Sequence, residues 1–239
     1  MSIAREDGKA QRKSASEKFK AYDALHILKF SHLHIFTSSN LQIFKFHMFH
    51  LHEIDQTWTL FLDRDGVINH EKEMDYVYRY SEFVFYDGAR EALKILSSYF
   101  GKIVLVTNQR GVGRGFMTEE DLLDIHQKML ADIQAAGGRI DEIFYCTAID
   151  NEHPNRKPNP GMAHLAQKKF PLIDFKKSLV VGNNLSDMSF GRNAGMFTVH
   201  VRTTHPELKL PHEWIDLSFA DLYAFAKALQ TAKENLKYS

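Results

Sequence analysis

The stretch TWTLFLDRDGVIN, residues 57–69, restricts what this chain can become more than any other. A run of apolar, aromatic and β-branched residues stops at two aspartates spaced i, i+2, Asp63 and Asp65, with Gly66 next. A strand interior has no use for either carboxylate, because an unpaired buried charge is very costly. At the C-terminal tip of a strand the same pair reaches solvent, a cation and a substrate together. The ligands of open α/β sheets bind in that crevice.

The chain downstream repeats the alternation that such a sheet needs. Strands are expected at 57–62, 102–107, 141–146, 178–182 and 196–201. Between them the apolar spacing predicts a helix over 88–99 capped by Asp87, and a second to about residue 136 that Thr118 and Asp121 open as a capping box. A third helix is expected from Pro160, at its first position, to Phe170. A short one begins near Ser186, and a terminal one is capped by Ser218. Strands alternating with helices predict an α/β fold: a central parallel sheet covered on both faces, in three α/β/α layers. Gly111, Gly113 and Gly115 resemble a phosphate cradle, but no Gly-Lys-Ser/Thr follows, so the glycines alone carry little.

Composition narrows the function classes. The 239 residues carry 30 basic and 30 acidic side chains, so no global field draws the chain to nucleic acid or an anionic membrane. No apolar run approaches the roughly 20 residues of a membrane span. The one cysteine, Cys146, excludes an intramolecular disulfide and fits a reducing cytoplasm. Residues 53–239 are expected to form one domain. Residues 1–52 are an N-terminal extension with no steady helical or strand period. They are expected to be disordered or outside the native protein, in which case translation would begin at Met48.

Two further strands end in polar groups that are odd as structure alone. One ends in Thr107-Asn108-Gln109, the other in Gly182-Asn183-Asn184 with Asp187 just beyond, and Arg156-Lys157-Pro158 precedes a helix. In a parallel sheet all C-terminal strand ends share one edge, so these groups can meet although they are far apart in sequence.

With these residues in place the chain resembles the haloacid-dehalogenase-type phosphatases. Asp63-Arg64-Asp65-Gly66 is similar to their first motif, and Thr107, Lys157 and Gly182–Asp187 fall where the other three stand. The closer resemblance is to the histidinol-phosphatase and heptose bisphosphate phosphatase group. Its marks are DRDG[VT]IN, TNQxGxxRG and RKPxPGM, and this chain has DRDGVIN, TNQRGVGRG and RKPNPGM. The resemblance covers roughly residues 57–200. It implies a Rossmann-like fold without a large cap domain, and a Mg²⁺-dependent phosphomonoesterase acting on a small phosphorylated metabolite.

The roles can be argued on the residues. A phosphate ester dianion repels nucleophiles, so positive charge must be supplied before a carboxylate attacks. Asp63 is then the nucleophile that forms an aspartyl phosphate, and Asp65 the general acid and base. Thr107 and Asn108 are expected to bind phosphoryl oxygens, and Lys157 to offset charge on the nucleophile. By resemblance, Arg114 and Arg156 grip a second phosphate or the sugar. Mg²⁺ suits carboxylate and carbonyl oxygens at this tip; the resemblance implies Asp63, Asp65 and Asn183 as its set, with Asp187 compensating through a bridging water.

Two departures from the family matter. The fourth motif usually opens Gly-Asp; here the aspartate position is Asn183, which keeps an oxygen but loses a charge. Many members also carry a zinc loop of one histidine and three cysteines, whereas this chain has Cys146 and His153 there and no second cysteine, so no zinc is expected. Two other functions compete. One is a polynucleotide 3′-phosphatase, against which the balanced charge argues; the other is a phosphate-binding protein weakened through Asn183.

Overall fold

The computed structural model describes residues 50–236. The expected extension therefore lies almost wholly outside the described residues. Its last residues pack with the domain, since Leu51 sits against the core and Lys233 Nζ donates to the His52 carbonyl at 2.7 Å.

Strand β1 (Thr59–Leu62) is buried along its whole length, with Leu60 and Leu62 in one apolar cluster and Phe61 in another. Side chains alternate across a strand, so two clusters mean that both faces of β1 are covered, which is why Leu60, Phe61 and Leu62 run on without a polar alternate. It begins two residues later than expected. The Thr57 amide and hydroxyl both donate to Asp55 Oδ1, at 2.8 and 2.6 Å, which makes a turn instead of a ladder.

The remaining strands are β2 (Lys102–Asn108), β3 (Glu142–Cys146), β4 (Ser178–Gly182), β5 (Phe197–Val201) and β6 (Leu217–Phe219). They lie in the order β3-β2-β1-β4-β5-β6, with every neighbouring pair parallel. Helices α1 (Ala89–Ser97), α3 (Glu119–Ala135) and α6 (Leu222–Asn235) cover the Leu60–Leu62 face. Helices α4 (Gly161–Lys169) and α5 (Leu185–Ala194) cover the Phe61 face. The expected three layers are present.

Register decides where the polar tips emerge. Leu62 stands opposite Leu105 on one side and Val181 on the other, so Asp63, Thr107 and Asn183 leave the sheet within two residues of the same level. The chain winds outward from β1 to β3 and then returns to β4 on the far side of β1. That reversal opens a crevice beside β1, at the end where the aspartates stand.

Several local expectations are corrected. Ser218 caps nothing; it lies in β6, an unanticipated three-residue edge strand, and Asp221 caps α6 by accepting from the Ala224 amide at 2.7 Å. Both residue types suit a cap, and the one placed three residues before a helical N–H takes the position. Asp87 is likewise displaced as cap of α1 by Gly88, in the left-handed region at φ 75°. Pro160 is the N-cap of α4, not its first residue, and Arg110–Gly113 within the glycine-rich segment coil into a short helix, α2. The capping box at Thr118 and Asp121 is as expected.

Candidate active site

Lys157 is the hub of the site. Its ammonium lies 2.8 Å from Asp63 Oδ1, 2.7 Å from Asp187 Oδ1 and 2.9 Å from the Val106 carbonyl, which uses all three of its N–H donors. Lys157 is 4% exposed and Asp187 1%, so the ion pairs are hardly screened. Burial disfavours the lysine charge, but Asp187 and Asp63 outweigh it and hold the ammonium above its usual range. For Asp63 the balance falls the other way: burial and the nearby Asp187 push its carboxyl up to about 7, against the pull of Lys157.

The loop carrying Lys157 is fixed by a residue expected to touch substrate. Asn108 donates through Nδ2 to the Lys157 carbonyl and accepts through Oδ1 from the Lys157 amide, both at 3.1 Å. Asn108 thus positions the lysine loop through both ends of its amide, with one Nδ2 hydrogen left outside the clasp.

Asp65 is set quite differently from Asp63. The Arg64 guanidinium grips both its oxygens at 2.9–3.0 Å, Asn69 Nδ2 donates to Oδ1 at 2.9 Å, and Gln109 Nε2 donates to Oδ2 at 2.9 Å. Burial opposes the Asp65 charge, but Arg64 and these hydrogen bonds prevail and hold the carboxyl below its ordinary range. Arg64 is itself 1% exposed, with its Nη1 3.1 Å from His126 Nε2. Burial and the Arg64 charge push the His126 imidazole down to about 3, so it is neutral and accepts from the guanidinium. Gln109 also donates to Thr107 Oγ1 at 2.8 Å, tying the β2 tip to the β1 tip. Arg64, Gln109 and His126 were not singled out from the sequence. The first two lie inside quoted motifs, but nothing in their spacing distinguishes a bond to Asp65 from an outward-facing side chain.

Asn183 is fully buried, and its Nδ2 donates to Thr204 Oγ1 at 2.7 Å and to Glu71 Oε2 at 3.3 Å. Its Oδ1 is buried with no hydrogen-bond partner. A buried orphan acceptor at the tip of β4, next to the β1 tip that carries the two aspartates, is what a Mg²⁺ ligand should look like in the protein alone, so the residues present fit that ion. Among the described residues, no group of three or more His, Cys, Asp or Glu side chains is set to hold a metal. A Mg²⁺ site here therefore draws on amide and main-chain oxygens as well. Asp187, expected to act through a bridging water, is held by the protein itself: Oδ1 faces Lys157, and Oδ2 accepts from the Asn184 amide at 3.0 Å. Cys146 Sγ and His153 Nδ1 lie 3.5 Å apart at the end of β3.

Gly66 makes this packing possible. Its φ is +84°, and a Cβ there would fall 2.1 Å from Asn183 Nδ2. Gly66→Ala is expected to cost about 2 kcal/mol or more through strain and clash combined. Thermal unfolding of the variant should show a fall in Tm of at least about 4 °C, and an unchanged Tm would mean that Asn183 moves aside without cost.

A cluster of arginines borders the Lys157 loop. Arg156 Nη1 donates to the Ala148 carbonyl at 3.3 Å, and Arg110 Nη2 to the Ile149 carbonyl at 3.2 Å and Asn151 Oδ1 at 2.5 Å. Arg114 Nη1 donates to Tyr76 Oη at 3.1 Å. Among the described residues none of the three has an acidic partner at ion-pair distance, and Arg110 Nε is buried without a hydrogen bond. Burial and the neighbouring Arg110 charge hold Arg156 below the usual arginine range. Positive charge gathered without counter-charge is a place for an anion.

Comparison with known proteins agrees with this geometry. The family model described as polynucleotide kinase 3 phosphatase matches residues 49–228. The chain is 34% identical to a D-glycero-alpha-D-manno-heptose-1,7-bisphosphate 7-phosphatase of Mycobacterium bovis over 177 residues, covering 74% of this chain and 93% of that protein. It is 36% identical to a D-glycero-beta-D-manno-heptose-1,7-bisphosphate 7-phosphatase of Pasteurella multocida, covering 72% and 98%. Among solved structures, the D,D-heptose 1,7-bisphosphate phosphatase of B. bronchiseptica, complexed with magnesium and phosphate, superposes with a TM-score of 0.66 at 30% identity, covering 73% of this chain and 98% of that one.

Proposed function

Because the chain belongs to the haloacid-dehalogenase-like phosphatases, in the group of the heptose bisphosphate enzymes, we propose that it is a cytoplasmic, Mg²⁺-dependent phosphomonoesterase working through an aspartyl phosphate, with a heptose bisphosphate or similar small sugar phosphate as substrate. One observation carries the mechanism: the hydrogen bonds to the Asp63 carboxylate, from the Arg64 amide and Lys157, fall on Oδ1 at 2.8 Å each. Oδ2 is left to attack, and Lys157 fixes the plane of the carboxylate while it does so.

Asp63, the Asp65 carbonyl and Asn183 Oδ1 would hold Mg²⁺, which when bound supplies charge to offset that of the phosphoryl oxygens. Asp63 Oδ2 forms a bond to phosphorus as the ester P–O bond breaks, and the leaving oxygen takes a proton from Asp65. A water then attacks the aspartyl phosphate and gives its proton to Asp65, which releases inorganic phosphate and restores Asp63. Arg64, Asn69 and Gln109 favour the ionised form of Asp65 that the second step uses. The acid role in the first step requires that at least one of those bonds be released. Thr107, tied to Asp65 through Gln109, would donate its hydroxyl hydrogen to a phosphoryl oxygen.

The arginine cluster supports a substrate with a second anionic group. Arg156→Ala is expected to raise KM for a heptose bisphosphate about tenfold or more, and to change KM for the matching monophosphate far less. The description of the matching family model favours a second reading, a 3′-phosphorylated nucleic-acid end. A panel of esters containing heptose 1,7-bisphosphate, histidinol phosphate and a 3′-phosphorylated oligonucleotide, assayed with Mg²⁺ and with chelator, separates the two. The sugar bisphosphate should give the highest kcat/KM and lose turnover in chelator; an oligonucleotide leading the panel would overturn the first reading.

A further inference from the structure

Asn183 presents a chemical question that the mechanism leaves open. An amide can turn either its oxygen or its nitrogen toward a cation, and only the oxygen binds one. The groups around it decide the matter. Asn183 Nδ2 faces Thr204 Oγ1 at 2.7 Å and Glu71 Oε2 at 3.3 Å, and an ionised carboxylate only accepts hydrogen bonds. Glu71 therefore excludes the flipped amide and leaves Oδ1 as the buried atom without a partner. The short segment between the two aspartate-holding groups is fixed as well: Asn69 Nδ2 bridges Asp65 Oδ1 and the His70 carbonyl at 2.9 Å each, and the His70 amide donates to the Val84 carbonyl at 2.9 Å.

The geometry points to Glu71 as a positioning carboxylate of the cation site, which turns Asn183 Oδ1 to the ion and supplies the negative charge that an amide lacks. Asn183 and Glu71 together carry one negative charge, the charge of an aspartate beside a neutral partner. An aspartate at position 183 would instead set two carboxylates against each other at hydrogen-bond distance, where like charges oppose ionisation. The two positions are thus matched, and exchanging one alone spoils the match. This inference rests on the Mg²⁺ reading above.

The test is a double-mutant cycle on the full chain, freed of metal, with MgCl₂ binding followed by calorimetry at fixed ionic strength and by the Mg²⁺-induced rise in Tm. Glu71→Gln retains an oxygen that can accept from Asn183 and removes only the charge. Glu71 is solvent-facing, and an unchanged Tm in chelator confirms that the fold is kept. Glu71→Gln should weaken Mg²⁺ about tenfold, in the range of outer-shell substitutions at metal sites, and Glu71→Ala should weaken it further. Asn183→Asp should tighten Mg²⁺ more in the Glu71→Gln background than in the native one, with the double variant back at native affinity or better. Glu71→Gln within twofold of native affinity, or an equal gain from Asn183→Asp in both backgrounds, overturns the inference while leaving the Mg²⁺ site standing. A native chain that takes up no Mg²⁺ removes both.

Discussion

Asp63→Asn should abolish turnover and yet make the metal-free protein more stable at pH 8. The loss of kcat is expected to be at least about 10⁴-fold, the scale seen when a covalent nucleophile is removed. The gain in stability follows from the pKa. Asp63 ionises near 3.8 in the unfolded chain, while in the fold burial and Asp187 push it up to about 7. Between those values the folded protein keeps a proton that the unfolded chain releases, so the contribution of this group is fully present below pH 3.8 and is lost as pH rises toward 7. An amide does not ionise and escapes the loss. In chelator, Tm of the variant should exceed the native value by about 2–4 °C at pH 8, which corresponds to roughly 1 kcal/mol for a domain of this size, and the gain should vanish near pH 4. Thermal unfolding across that pH range gives the answer. Undiminished hydrolysis by the variant would remove the nucleophile assignment, whatever the Tm.

The second large effect belongs to Lys157. Lys157→Met takes away the ammonium that both Asp63 and Asp187 face at 2.7–2.8 Å and leaves two buried carboxylates without a counter-charge. Breaking a buried pair in this way costs about 3–5 kcal/mol, and here one cation serves two anions. Urea unfolding at pH 8 should show a loss in that range. The deficit should shrink at pH 5, because a carboxyl that takes up a proton no longer needs the lysine. A loss independent of pH would mean that the side chain matters for packing alone. Turnover should fall with the loss of Lys157 at both pH values, since protonating Asp63 silences the nucleophile.

The architecture was legible because it depends on patterns that local chemistry enforces. A short strand buried on both faces favours apolar and β-branched residues, and a carboxylate directly after it must mark the tip; Thr59–Leu62, with one threonine and no charge, and Asp63 fit both demands. The Thr118–Asp121 box is similarly local. What could not be read was mostly the direction in which a polar side chain turns. Asn108 and Gln109 are adjacent at the end of β2, and one clasps the Lys157 backbone while the other reaches Asp65. Only the positions of β1 and the 150s loop, far away in sequence, decide which does which. Asp187 shows the same limit. Its capping bond to the Asn184 amide is local, whereas its ion pair with Lys157 arises from the crossover of the sheet. Strand β6 escaped notice because three half-exposed residues at a sheet edge carry almost no periodic signal.

The central place of β1 has a consequence for how the protein is made. Among the described strands β1 is the first to leave the ribosome during synthesis, and β2 follows within one helical excursion. Its other neighbour, β4, pairs through Thr59 and Ser178 and is translated only after β3 and α4. Until then one side of an uncharged, largely apolar strand stays unpaired, a template for illicit pairing with other nascent chains. The Asp63 amide also lacks its bond to the Val181 carbonyl during that interval. Premature termination anywhere between α1 and β4 would therefore yield a product that is both inactive and prone to aggregate. Slow translation ahead of residue 178 would lengthen the same vulnerable period.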